Sequence, residues 1–151
     1  MSDYKGQYVY LAGPYTHPDP LVREIRFLEA CRATAYVINK LRINAFGTMV
    51  HSHPLVTRYP MPVEWEFWAD YDTAMVGKAL EVWVLCIPGY TNSMGVQTEV
   101  KIAEKLNKPV RWMIPVPGEN LYIVTNEQPK EDELYGSIME GRLLKEKVGD
   151  V

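Results

Sequence analysis

Cysteine is scarce: Cys31 and Cys86 are the only two in 151 residues. Two thiols are too few for a disulfide framework or a cysteine zinc site, and both read as buried free thiols, one on a helix and one in a core strand. No apolar run approaches the roughly 20 residues that cross a bilayer, and the start, Met1-Ser2-Asp3-Tyr4-Lys5-Gly6, is polar. A cytoplasmic protein with no membrane partner is expected. A basic balance is also missing. The formal net charge is −3, which gives no footprint for a nucleic-acid polymer or an anionic lipid surface. Neither a glycine-rich dinucleotide fingerprint nor a P-loop is present; Gly13-Pro14-Tyr15 fits neither pattern. There is no internal repeat, low-complexity stretch or linker, so residues 1–151 are expected to form one domain.

The length and an apolar fraction of 47 % suffice for a real core. Residues 7–12 read as a first strand ending in Gly13-Pro14. Asp19-Pro20 supplies an N-cap and a first helical residue. Leu21, Ile25, Leu28, Cys31, Ala35 and Ile38 follow at helical spacing, predicting one face packed on a sheet. A second strand is expected over residues 45–50. Residues 51–62, with three prolines, read as an irregular loop of functional length. A helix from Pro62 to about Gly77, a central strand over 80–87, a helix over 93–107 and a strand over 109–114 come next. A short strand over 121–124, an exposed charged stretch over 128–133 and a terminal helix over 137–148 complete the reading. Strands alternating with helices imply a parallel sheet covered on both faces. We expect a three-layer α/β/α fold with a five-stranded parallel sheet in flavodoxin-like (Rossmann-like) order, with the core at about 7–114 and an extension over 115–151.

Polar residues gather where strands should end: Tyr10-Leu11-Ala12-Gly13, then Asp72 before the central strand, then Ser93-x-Gly95-x-x-x-Glu99 after it. Ligands of open α/β sheets bind beyond the strand ends. A helix start there offers free N–H groups and a positive dipole end. Singly, each feature has a plain explanation. Gly13-Pro14 makes a turn, and Asp72 and Glu99 are helical carboxylates of the kind that usually face water.

In this order and spacing the segments resemble the nucleoside 2-deoxyribosyltransferases and the related 2′-deoxynucleoside 5′-phosphate N-hydrolases. Those enzymes open with Tyr-hydrophobic-Ala-Gly, carry an Asp eight residues before an Ala-Asp pair, and then Ser-x-Gly-x-x-x-Glu or its Asp-first variant. The matches here are Tyr10 to Gly13, Asp72 before Ala79-Leu80, and Ser93, Gly95 and Glu99. An uncharacterised branch of that superfamily is similar in sharing Leu-Ala-Gly-Pro-Tyr and His-Ser-His-Pro. The chain departs from the pattern at Leu80, at the Pro14-Tyr15-Thr16 loop and at the insertion 89–92, which bears on recognition of a 5′-phosphate.

The resemblance implies cleavage or exchange of the N-glycosidic bond of a 2′-deoxynucleoside or its 5′-monophosphate. Glu99 would attack C1′ to give a glycosyl ester, Asp72 would supply or relay a proton to the base, and Tyr10 would orient Glu99. Ser93 and Gly95 would hold the 5′ side of the sugar. Gly13, Tyr15, His51, His53, Trp65 and Trp68 are further pocket candidates. No cofactor and no metal is implied, and a homodimer or larger homo-oligomer is. Plainer roles stand beside these: core packing or a dimer contact for Trp65 and Trp68, a structural loop or a metal pair for His51 and His53, surface ion pairs for Arg23 and Arg26, and a sealed turn for Tyr15. Three other readings of the whole remain: a nucleotide sensor without turnover, a metal-dependent hydrolase using His51 and His53, and a structural subunit.

Overall fold

The computed structural model describes residues 2–130. The helix expected over 137–148 and the end of the stretch 128–133 lie outside the described residues. A short 3-10 turn leads into β1 (Val9–Ala12), α1 (Pro20–Asn39), β2 (Ala45–Gly47), α2 (Thr48–Arg58), α3 (Trp65–Lys78), β3 (Glu81–Leu85), α4 (Met94–Lys105), β4 (Val110–Pro115) and β5 (Tyr122–Thr125). The strand order is β2-β1-β3-β4-β5, the flavodoxin-like arrangement.

Side chains alternate across the pleat. Val9, Leu11, Trp83, Leu85 and Met113 meet Ala30, Ala33 and Val37 of α1 on one face. Tyr10, Ala12, Val82 and Val84 meet Val76 of α3 and Val96 and Ala103 of α4 on the other. The result is a three-layer α/β/α sandwich. Both faces are covered, which explains why the inner strands read as unbroken apolar runs.

The sheet is parallel from β2 to β4, but β5 runs antiparallel to β4, pairing Trp112 with Thr125 and Pro115 with Tyr122. This corrects the expectation of an all-parallel sheet. A parallel crossover needs about a dozen residues or more, and the link over 116–121 is too short for one. The chain can return only as a hairpin.

Two helices also differ from expectation. In α1 the buried residues are Ala30, Ala33, Thr34 and Val37, whereas Leu21, Ile25, Leu28 and Ile38 are exposed. The larger apolar stripe faces out, and the small residues face in. Close approach requires this: a Cβ on Gly47 would lie 2.7 Å from Thr34 Oγ1. Residues 51–58, expected as loop, belong to α2, which contains Pro54. Pro54 costs the helix one backbone donor, yet Thr48, Met49, Ser52 and His53 are all buried along one side of it. Packing of that side overrides the proline signal.

At the N-terminal end of β3, Glu81 is buried. It accepts hydrogen bonds from Trp83 Nε1 and Arg111 Nε, each at 2.8 Å, and from Tyr4 Oη at 3.1 Å. Burial pushes its pKa up, but the bonds from Arg111, Trp83 and Tyr4 outweigh this and hold it below the ordinary carboxylate value.

Candidate active site

After β1 the chain crosses to β2 on one side of the sheet, and after β3 it crosses to β4 on the other. The C-terminal ends of β1 and β3 therefore flank the topological switch point. A cavity of about 320 Å³ opens there, of the size that holds small ligands. Its wall includes Gly13 and Tyr15 from the loop after β1, Thr48 and Ser52 from α2, Trp65, Trp68 and Asp72 from α3, and Ser93, Gly95 and Glu99 from α4.

Each position follows from local structure. Ser93 is the N-cap of α4 and accepts from Val96 N at 3.2 Å, which turns the helix start toward the cavity. Glu99 lies one turn further in and is 3 % exposed. Trp65, Trp68 and Asp72, at spacings of three and four, share one face of α3. Asp72 is buried, and its Oδ1 accepts from Thr48 Oγ1 at 2.6 Å. Gly95 allows the Trp65 ring to rest on the α4 backbone, since a Cβ there would lie 2.7 Å from Trp65 Cδ1. A Cβ at Gly13 would meet Met49 Cε at the same 2.7 Å. Tyr10, fully buried on β1, lies behind the wall beside Glu99, Asp72 and Thr48.

Polar groups here are left open. Among the described residues, the buried atoms Tyr10 Oη, Trp65 Nε1 and Glu99 Oε2 fall short of a well-formed hydrogen bond, although the Tyr10 hydroxyl lies close enough to Glu99 to ease its charge. Buried polar atoms are nearly always paired, so Trp65 and Glu99, both on the wall, offer atoms that a ligand would complete. The same environment controls protonation. Burial pushes the Glu99 carboxyl up to about 8, with the nearby Asp72 adding to the rise and Tyr10 opposing it. Burial also raises Asp72, while Thr48 and the charge of His51 oppose the rise. Burial, with Glu99 and Asp72 beside it, pushes the Tyr10 phenol well up. Perturbed acids gathered in a cleft are a physical marker of a functional site.

Two expected pocket residues are elsewhere. His51 is exposed and stacks on Tyr71, ring centroids 5.6 Å apart and 3° from parallel. His53 is buried toward α1, where Nε2 meets Glu24 Oε2 at 2.6 Å and Nδ1 meets Tyr15 Oη at 2.7 Å. Neither lines the cavity; Ser52, between them, does. The cause is the unexpected helix: residues two apart on a helix do not share a face. This also separates the two imidazoles, so they do not form a metal pair. Arg23 and Arg26 are likewise absent from the wall. Arg23 binds the His17 carbonyl, and Arg26 binds the Thr16 carbonyl at 3.0 Å. Thr48, which holds Asp72, was missed in the sequence; its signal was its place as the first residue after a strand-ending Gly47.

Among the described residues, no helix is long and apolar enough to cross a membrane. No curated protein matches the chain. A family model described as a domain of unknown function, DUF1937, matches residues 7–114. That span carries α1 to α4 and every wall residue named above, and the chain belongs to this family.

Proposed function

We propose that the cavity cleaves or exchanges the N-glycosidic bond of a 2′-deoxynucleoside. The observation that carries this is the convergence of Glu99 and Asp72, far apart in sequence, on one cavity at the switch point. Paired carboxyls on either side of a sugar are the common machinery of glycosyl transfer. In its ionised form, after releasing the proton it holds up to about 8, Glu99 bonds through a carboxylate oxygen to C1′ as the bond from C1′ to the base breaks, and a proton reaches the departing nitrogen from Asp72. Carboxylates stabilise the positive charge that develops on the sugar. Trp65 and Trp68 offer apolar surface to the flat base. Water or a second base then takes the sugar from the ester.

The charge of the wall favours a free 5′-hydroxyl over a phosphate. Glu64, Glu66, Asp72 and Glu99 line the cavity, and no Lys, Arg or His does so among the described residues. A phosphate group would bring its charge into a partly desolvated, acid-lined site with no cation on the wall to balance it, among the described residues. Homo-oligomerisation, implied by the resemblance to the deoxyribosyltransferases, belongs to the same proposal.

One observation favours a second reading. Glu99 keeps its proton up to about 8, and the member of a carboxyl pair with the raised pKa commonly serves as the acid. In that reading Glu99 protonates the base and Asp72 meets C1′.

The test is incubation with the four deoxynucleosides and their 5′-monophosphates, with and without an acceptor base, following free base by chromatography. Release from the nucleosides is expected, and Glu99→Ala should reduce it by at least about 10³-fold. Trapping the glycosyl ester and mapping it by mass spectrometry separates the readings: a labelled Glu99 supports the first, a labelled Asp72 the second. No release from any substrate would remove the proposal.

A further inference from the structure

A second set of titratable groups runs outward from the cavity. Tyr15 is part of the wall. Its Oη lies 2.7 Å from His53 Nδ1, and His53 Nε2 lies 2.6 Å from Glu24 Oε2. Solvent access opens at the outer end: the central His53 side chain is 5 % exposed and the Glu24 side chain 48 %. Phe27 stacks on the imidazole at 4.3 Å and 27°, and the Tyr15 ring meets its edge at 5.5 Å and 77°. The imidazole is held on both ring nitrogens and clamped in plane, with a cavity residue on one side and an open carboxylate on the other.

From this geometry we infer that Tyr15, His53 and Glu24 form a proton relay between the cavity and solvent, with Tyr15 as general base in the second half of the reaction. The inference rests on the glycosyl-transfer reading for the identity of the proton moved. A carboxylate can only accept, so it fixes Nε2 as the protonated nitrogen and leaves Nδ1 to accept from the Tyr15 hydroxyl. This is the logic of a nucleophile–histidine–acid triad, with a phenol in the first place.

Asp72, which gave its proton to the base in the first half, takes one up from solvent before the next cycle, and the second half balances by itself. An attacking water gives a proton to Tyr15 Oη while Tyr15 passes its own to His53 Nδ1. The water oxygen bonds to C1′, the bond from C1′ to Glu99 breaks, and its electron pair returns to the Glu99 carboxylate. Glu24 stabilises the imidazolium until its extra proton passes to solvent. Other charged groups near the chain come from α1. Burial raises the Tyr15 phenol, with Arg23 opposing the rise and Glu24 adding to it; Arg26 binds the Tyr15 carbonyl at 3.4 Å, and the titratable Cys31 thiol lies near Glu24.

The experiment compares Tyr15→Phe, His53→Gln and Glu24→Gln with the parent, using deoxynucleoside, rapid mixing and azide. Azide is a nucleophile with no proton to remove. The first release of base should keep its rate, while steady turnover in Tyr15→Phe and His53→Gln falls about 10²- to 10³-fold. Azide should restore that turnover and yield the glycosyl azide. Glu24→Gln should give a smaller loss and a shifted pH profile, and nitrogen-15 NMR of the parent should show His53 protonated at Nε2. A purely structural role would slow both phases together with no azide rescue, and this result would overturn the relay while leaving the cavity's assignment intact. Absence of base release by the parent enzyme would instead remove the assignment and the relay together. Tyr15→Phe keeps the ring contact with His53, so it carries the test should His53→Gln fail to fold.

Discussion

A carboxyl as deeply buried as Glu99 opposes folding once it ionises. Its pKa rises from an ordinary 4.5 to about 8, so between those values the folded chain holds a proton that the unfolded chain has released. Its contribution to stability is fully present below about 4.5 and is lost as pH rises from there through about 8. Glu99→Gln keeps the shape and cannot ionise. At pH 8.5 the variant should melt on the order of 5–10 °C above the parent, with the two coinciding near pH 4; calorimetry at both pH values measures this. Coincident melting at pH 8.5 would mean that the carboxylate is solvated. Neither the burial nor the shift was legible at residue 99 alone, where a helical Glu ordinarily faces water. What the sequence did carry was spacing: Ser93, Gly95 and Glu99 are the N-cap, the first turn and the second turn of one helix. His51 and His53 failed because their reading assumed a loop, in which both rings could have turned the same way.

Elements were legible where local signals agreed with packing. Asp19-Pro20 caps and begins α1 as read, and Asp19 Oδ1 accepts from Leu21 N at 2.9 Å. Which face of α1 packs was not legible, because two stripes share the helical period and the larger residues drew the prediction outward. The distinction can be measured. Leu28→Glu should change stability by less than about 0.5 kcal/mol, as exposed substitutions do. Ala33→Leu, against the sheet, should cost about 1–3 kcal/mol by overpacking. Urea denaturation of both variants checks this, and a large loss from Leu28→Glu would show that another copy covers that face. In α2, the three prolines over 54–62 spoke for a loop, and only Pro54 fell inside the helix. The burial of Met49, Ser52 and His53 that overrides it depends on contacts distant in sequence, which a local reading does not see.

At the level of the whole molecule, the two ends of the sheet have separate tasks. The C-terminal ends frame the cavity, and the N-terminal end of β3 holds the network around Glu81. Because the Glu81 pKa is lowered in the fold, its stabilisation is present above the ordinary carboxylate value and is lost as pH falls. Arg111 is partly exposed, so Arg111→Ala should cost only about 1–3 kcal/mol. Base release per folded molecule should be unchanged, as urea curves and activity measured on the same samples would show. A change in turnover without a loss of stability would mean that the ends are coupled. The three layers and the inner strands could be read from alternation alone. The reversal of β5 could not, because it turns on the brevity of one connection.

Among the described residues, the other margin of the sheet is β2, three residues long and ending at Gly47, which hands the chain to α2. So brief a border shows a passing chain few free N–H and C=O groups, and short edge strands blunt sheet-to-sheet templating. On that flank the described sheet offers little template for fibril growth strand by strand.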